Sequence, residues 1–271
     1  MLDVLKARAA QIKGVPVIAV DLASLEDIEL GLQGGLRYAS GNMAPAAAAA
    51  TTASMGTALS PAAGRIAQVL GQLASGADTS AVIGNIKGDV GLTVRLLQQV
   101  NSARFAHLGG VASIDQAIAL LGRDELQRWL MVVLTQYGDQ RKLSAALQEM
   151  ALFRARLLEL LAIERGDAQP GRLFTLGLAS MLGVILKIGT LTVAKQLSLP
   201  PEAAQALTGS GPWHLYLRTA KQIEDQTTND ASATADGFAG SERLLQLSEE
   251  AWAWAEQTKM TTSGDSKAVT P

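Results

Sequence analysis

The chain has 271 residues, a formal charge of -2 and a pI near 5.8, and is 48% hydrophobic but only 18% charged, which excludes a disordered chain and leaves mass for a sizeable core. With Cys 0 and His 2, disulfides, thiolate zinc sites, cysteine nucleophiles and a centre of three or four histidines within one chain are excluded. No global basic field draws the chain to nucleic acid. Ala and Leu supply most of the apolar mass while aromatics make up 4%, a mixture that favours helix over sheet.

The N-terminus begins Met1-Leu2-Asp3-Val4-Leu5-Lys6, with an early acid and no apolar run, so it does not read as a signal peptide. Asp3 to Ile12 reads as a short helix. Val15 to Val20 is β-rich and lies between Gly14 and Asp21, which predicts a buried strand. Ser24 is a good N-cap with Asp27 three residues on, and Leu25, Ile28, Leu32 and Leu36 space as one helix face that Gly34-Gly35 ends. Leu36-Arg37-Tyr38 reads as a second short strand. Residues 1–41 thus form a small strand–helix–strand α/β unit. Residues 42–59 are uncharged and rich in Ala and Thr, which predicts a flexible linker, although Ala46–Ala50 also suits a helical turn.

From residue 60 to 257 the pattern is helical. Ser60-Pro61 is an N-cap followed by Pro in the first turn, and Ile66, Val69, Leu70 and Leu73 make an apolar stripe ended by Gly76. Ser80–Lys87 and Gly91–Ser102 follow as short helices. Ser113 caps a fourth through Leu121, Gly122 breaks it, and Asp124 opens a fifth through about Tyr137. Leu143–Ile163 reads as a long amphipathic helix. Leu173–Leu186 is nearly all apolar, Lys187 interrupts it, and Ile188–Ala194 resumes. An uncharged run that short reads as a buried core helix, since a membrane span needs about 20 residues. A soluble, cytoplasmic protein is therefore expected. Pro200-Pro201-Glu202 starts a helix ending by Gly209, and Pro212–Thr227 makes another. Thr228–Gly240 reads as a polar loop, Ser241–Gln257 as the last helix, and residues 258–271 as a disordered tail.

Within the helical part, Asp89-Val90-Gly91-Leu92-Thr93-Val94-Arg95-Leu96-Leu97-Gln98-Gln99-Val100-Asn101-Ser102-Ala103-Arg104-Phe105 resembles the signature of the HDOD domain, the HD-related output domain of bacterial signalling proteins. That signature is an acid, apolar positions at helical spacing, then Asn-Ser-Ala and an aromatic. Val111 to Gly122 resembles the family's next helix, which also ends in Leu-Gly. Val90 departs from the pattern, which usually carries Pro after the acid. In the N-terminal unit, Val17 to Ser24 is similar to a late strand of the EAL domain, the cyclic-di-GMP phosphodiesterase barrel, and Leu36 to Gly41 resembles its final strand. The family's acidic positions fall on Val20 and Ala23, and its Gln falls on Ser40. A closed (β/α)₈ barrel takes eight strands and about 250 residues, so 41 residues make only a degenerate remnant. The resemblance implies a mainly α fold, an HD-like helical bundle preceded by the α/β remnant.

Candidate site residues follow from this signature. Active HD hydrolases hold metal with several His and Asp residues, including a His-Asp pair. Here His107 is followed by Leu108 and His214 by Leu215, with no second His at helical spacing. Asn101 and Ser102 suit either the lining of a small pocket where HD relatives hold metal or bonding to nearby backbone that sets the next turn. Asp89 suits a helix cap. Arg95 and Arg104 suit a phosphate or carboxylate partner, against a default of solvated surface charge. Ser180 lies inside the apolar helix without a nucleophile-elbow pattern. Trp252 and Trp254, two apart, sit on different helix faces, one suited to the core and one to an interface.

The sequence thus predicts a bacterial signal-transduction protein without catalysis and without a cofactor. It would act by protein–protein interaction with a signalling partner, in a pathway linked to cyclic di-GMP. A cyclic-dinucleotide receptor without turnover, a residual metal-dependent phosphohydrolase, and a homo-oligomer paired through open strand edges are the alternatives.

Overall fold

The computed structural model describes residues 18–34, 36, 38–41, 59–101, 111, 113–138, 144–224, 238 and 240–263. The helix predicted over Asp3–Ile12, the strand start at Val15–Val17, most of the linker, and Ser102, Arg104 and His107 lie outside those residues, as do residues 264–271.

The N-terminal unit is the expected strand–helix–strand, but its first strand is not the buried one predicted, because one small helix cannot cover it and Ile18 and Val20 stay exposed. Strand β1 (Ile18–Leu22) pairs in parallel with β2 (Tyr38–Gly41), with Ile18 opposite Tyr38 and Ala19 opposite Ala39. Parallel strands need a crossover, and helix α1 (Leu25–Gln33) supplies it. Ser24 caps α1, its hydroxyl oxygen accepting from the Asp27 N–H at 3.2 Å and its O–H donating to the Asp27 carboxylate at 2.8 Å. The second strand starts later than predicted. Leu36 is buried beside Gly31 of α1, and β2 begins at Tyr38. Gly41 is required there, because a Cβ would stand 2.2 Å from the Leu22 carbonyl oxygen.

The elements among the remaining described residues are helices. Helices α2 (Pro61–Ala74), α3 (Thr79–Lys87), α4 (Val90–Val100) and α5 (Ile114–Leu134) form a first group, with α3 and α4 lying against α5. The caps read from the sequence are in place: Ser60 accepts from the Ala63 N–H, and Ser113 from the Gln116 N–H. Gly122, at φ 73 and ψ 170, breaks α5 into two stretches, as expected. A left-handed backbone there suits glycine alone without strain. A short 3₁₀ turn, Thr135–Tyr137, ends this group.

The second group is α6 (Ser144–Glu164), α7 (Gly171–Leu186), α8 (Thr190–Gln196), α9 (Pro201–Leu207), α10 (His214–Glu224) and α11 (Ser241–Ser263). Three features correct the sequence reading. The apolar stretch after Lys187 is a separate helix, α8. Lys187 turns left-handed at φ 54, and the Ile188 N–H returns to the Gly183 carbonyl at 3.0 Å. α11 continues past Gln257 to Ser263. α6 is not amphipathic. Its residues from Ala151 to Ala162 are buried with the exception of Arg156. It lies between α7, α10 and α11. No helix among the described residues is long and apolar enough to cross a membrane.

The contact between α6 and α7 is backbone against backbone. A Cβ on Gly177 would stand 2.5 Å from the Cα of Ala155 and 2.8 Å from its N. Gly177→Val should therefore overpack this crossing and lower stability by about 1–3 kcal/mol, read as a shift in the urea midpoint at unchanged slope.

Burying α6 also buries its charges, which must then be paired. Arg154 donates from Nε to Glu224 of α10 at 2.6 Å and from Nη1 to the Ser180 hydroxyl of α7 at 3.0 Å. Glu159 accepts from Arg128 of α5 at 3.0 Å and from Arg156 at 2.8 Å. The Arg128 guanidinium also lies over the Phe174 ring, 3.6 Å from its centroid. Burial pushes the Glu159 carboxyl upward, but Arg128 and Arg156 outweigh it and hold the group below its ordinary 4.5. A depressed carboxylate stabilises the fold above its unfolded value, and that contribution is lost as pH falls through the folded value. The stability gap between wild type and Glu159→Gln should therefore be full at neutral pH and shrink below pH 4.5, as measured by urea unfolding across a pH series.

Candidate functional site

Helix α4 carries the signature residues and sets how far apart they stand. Asp89 is its N-cap, with extended backbone at φ -119 and ψ 104. Its Oδ1 accepts from the Leu92 N–H at 3.0 Å, and its Oδ2 accepts from Arg65 Nε of α2 at 2.6 Å. Both carboxylate oxygens are thus engaged. The Arg65 guanidinium, with the Leu92 N–H, holds the Asp89 carboxyl below the usual carboxylate range. Val90 occupies the first helical position and is 76% exposed. First-turn N–H groups have no partner within a helix, so Val in place of Pro forfeits no intrahelical hydrogen bond.

Asn101 ends the same helix. Its Nδ2 donates to the Leu97 carbonyl at 2.9 Å and to the Val111 carbonyl at 2.8 Å, and its Oδ1 accepts from the Val111 N–H at 2.7 Å. The side chain therefore clamps the end of α4 to the residue that leads into α5. Of the two roles open to Asn101, the structure displays backbone bonding. Ser102 lies outside the described residues. Arg95, midway along α4, donates to Gln136 Oε1 at 2.7 Å and sits 5.5 Å from the centre of the Tyr137 ring. Arg95 is exposed, as the default expectation of a solvated arginine has it, and the 3₁₀ turn adds these two partners.

These residues do not converge. Twelve positions separate Asp89 from Asn101, which at the helical rise is roughly 18 Å. A cleft of about 180 Å³ lies nearby, lined by Thr135, Gln136, Ser144, Gln148 and Ile185 among others, and Gln136 joins it to Arg95. Pockets for drug-sized ligands run from roughly 300 to 1,000 Å³. His214 Nδ1 stands 3.2 Å from the Ala206 carbonyl and so bonds between neighbouring helices α9 and α10. The Ser180 hydroxyl donates to the Gly177 carbonyl at 2.7 Å while it accepts from Arg154. Among the described residues, no group of three or more His, Asp or Glu side chains is placed to hold a metal ion.

The Arg154–Glu224–Ser180 and Arg128–Glu159–Arg156 networks were not singled out from the sequence. The available signal was three charged residues, Arg154, Arg156 and Glu159, inside the Leu- and Ala-rich run of α6. Trp252 stacks on Phe153 with centroids 4.2 Å apart, and Trp254 meets Phe174 edge-on at 5.7 Å, so both tryptophans touch core aromatics.

Asn101→Ala should leave the Val111 N–H and carbonyl without these partners and cost about 1–3 kcal/mol in urea unfolding. Asp89→Asn keeps a capping oxygen and loses only a half-exposed ion pair, so its effect should be smaller.

The HDOD domain pattern matches residues 58–204. The uncharacterized protein YuxH of Bacillus subtilis is 30% identical over 152 residues, which cover 54% of this chain and 37% of YuxH. The matched region thus spans well under half the length of that relative. A solved structure from Shewanella amazonensis, named "Putative phosphohydrolase", is 17% identical, covers 74% of this chain and 89% of its own, and superposes with a TM-score of 0.46. The domain match takes in more than half of the chain, from just before α2 through α8 into α9, and includes the whole of α4 with Asp89 and Asn101: this chain belongs to the HDOD domain family.

Proposed function

We propose that this chain is a non-catalytic signalling protein that acts by protein–protein interaction through its HDOD domain. Family membership supports the signalling role. One observation supports the non-catalytic part: among the described signature residues, Asp89 and Asn101 direct their polar groups to the protein's own backbone and side chains. Asp89 has both oxygens engaged, and Asn101 uses both of its amide donors and its oxygen on Leu97 and Val111. A general base or a metal ligand needs a lone pair turned to an open site. On this reading the signature builds a rigid helical surface, and that surface is the output.

The strand–helix–strand unit is read as an EAL-like remnant and ties the chain to a cyclic-di-GMP pathway. Its parallel β1–β2 pair with crossover α1 has the form of one repeat of a (β/α)₈ barrel. It lacks the acids expected at Val20 and Ala23.

Phosphodiester turnover by the purified full chain, assayed with magnesium and with manganese, tests the proposal together with metal content by mass spectrometry. We expect substoichiometric metal, no turnover above the blank, and no change in Asp89→Ala. One or two tightly bound transition-metal ions with hydrolysis lost in Asp89→Ala or His107→Ala would overturn it. Calorimetric titration with cyclic di-GMP should show no heat of binding, whereas saturable binding without turnover would replace the scaffold reading by a receptor.

A further inference from the structure

Helix α11 lies past residue 204, where the family match ends, and it covers one side of α6. The two helices run antiparallel. Trp252 stacks on Phe153 with centroids 4.2 Å apart, Glu250 accepts from Arg156 at 2.7 Å, and Glu164 accepts from Arg243 at 2.9 Å. The seam between these contacts is thin. Its buried apolar residues on α11 are Leu244, Leu247, Ala251 and Ala255, and alanine contributes little area. The flanking contacts are open to water: the Glu250 and Arg243 side chains are 50% and 47% exposed, and Trp252 is 37% exposed. Ion pairs that exposed hold a helix weakly. The fit is also incomplete. Arg156 Nε is buried and, among the described residues, has no hydrogen-bond partner. A buried donor left unpaired is costly, so the docked helix does not satisfy the face it covers.

We propose that α11 is an internal, displaceable occupant of a docking face on α6, and that a partner's helix of the same pattern takes its place. On the reading of this chain as a protein-interaction module, that face is the output surface and α11 keeps it closed. Phe153, Arg156, Leu160 and Glu164 fall within one stripe of roughly 80° on α6, and release of α11 turns this stripe to solvent. The partner that fits is an amphipathic helix with a Leu- and Ala-rich seam, an aromatic ring for Phe153, a carboxylate for Arg156 and a cation for Glu164. A partner that also brings an acceptor to Arg156 Nε gains over α11 itself. The released helix stays close. Phe238, three positions before α11 begins, is buried against Tyr216 of α10 with ring centroids 4.7 Å apart, and Arg165 lies over it. An anchor that near holds the freed helix at an effective concentration around the millimolar range, so the closed state is the resting one.

Two measurements on the full chain test this. In native-state hydrogen exchange, the amides of Leu247 to Trp254 in α11 should exchange about a hundredfold faster than those of Leu178 to Leu182 in α7, through an opening that leaves α7 protected. Glu250→Lys should speed the α11 exchange about tenfold and leave α7 unchanged. The second measurement is a fluorescence-anisotropy titration with a labelled synthetic peptide of residues 240–263. Its apparent affinity should rise from wild type to Glu250→Lys by the same factor as the α11 exchange rate, because both report the open fraction. On a Glu164→Arg chain, a peptide carrying Arg243→Glu should bind about fivefold tighter than the unaltered peptide, and on the Glu164 chain the order should reverse. Exchange of α11 only at the α7 rate, a peptide that does not bind Glu250→Lys, or binding indifferent to the charge at residue 164 would overturn the proposal. Such a failure with phosphodiester turnover still absent removes α11 as the occupant and leaves the interaction reading in place, whereas metal-dependent turnover removes that reading itself.

Discussion

Gly177 lets α7 rest directly on the backbone of α6 at Ala155, and much of the C-terminal half is arranged around that contact. Interhelical distance is set by the side chains at the crossing, and here one of them is a hydrogen atom. With α7 that close, α6 has little room for solvent on any side, and α10 and α11 cover what remains. Leu157, Leu158 and Leu161 of α6 and Leu176, Leu178 and Leu182 of α7 are buried as a consequence. α7 also lies against α5, so the same contact joins the two groups of helices.

The enclosure of α6 explains its ion pairs. Arg154 and Glu159 are carried into the interior by a helix whose other residues require burial, and each is met by charges from other helices. Arg154 reaches Glu224 at the end of α10, so that pair ties α6 to α10 while Ser180 adds α7. Glu159 holds Arg128 of α5 against the Phe174 ring, and Arg156 extends the network to Glu250 of α11. Pairs of this kind seldom add net stability over an apolar substitute, but losing one partner leaves a buried charge uncompensated. They tie α6 to α5, α7, α10 and α11 at defined positions.

The signature around α4 works by the same logic on a smaller scale. Asp89 stops the helix at one end and ties it to Arg65 of α2, and Asn101 stops it at the other and ties it to Val111. The residues that identify the family are thus the residues that define the length and position of one short helix. A polar motif that recurs at fixed spacing need not mark a reaction centre, because backbone groups at helix ends demand the same residue types.

Local features were legible in the amino-acid sequence because their causes are local. Ser24, Ser60, Asp89 and Ser113 cap helices through hydrogen bonds to residues three positions on, and Gly122 breaks one because its backbone turns left-handed. The capping reading of Asp89 and the backbone reading of Asn101 were within reach for the same reason. What the sequence did not disclose depends on distant partners. The Leu- and Ala-rich run around Arg154 and Glu159 does not say which helices enclose α6, and the segment reads as amphipathic. The separate helix α8 hinges on Lys187 adopting a left-handed turn, and β2 starts late because Leu36 is drawn under α1. Gly177 illustrates the division. Its sequence context is only an apolar helix, and its role exists only where Ala155 comes to lie against it, because packing is a property of the pair and is written in neither segment alone.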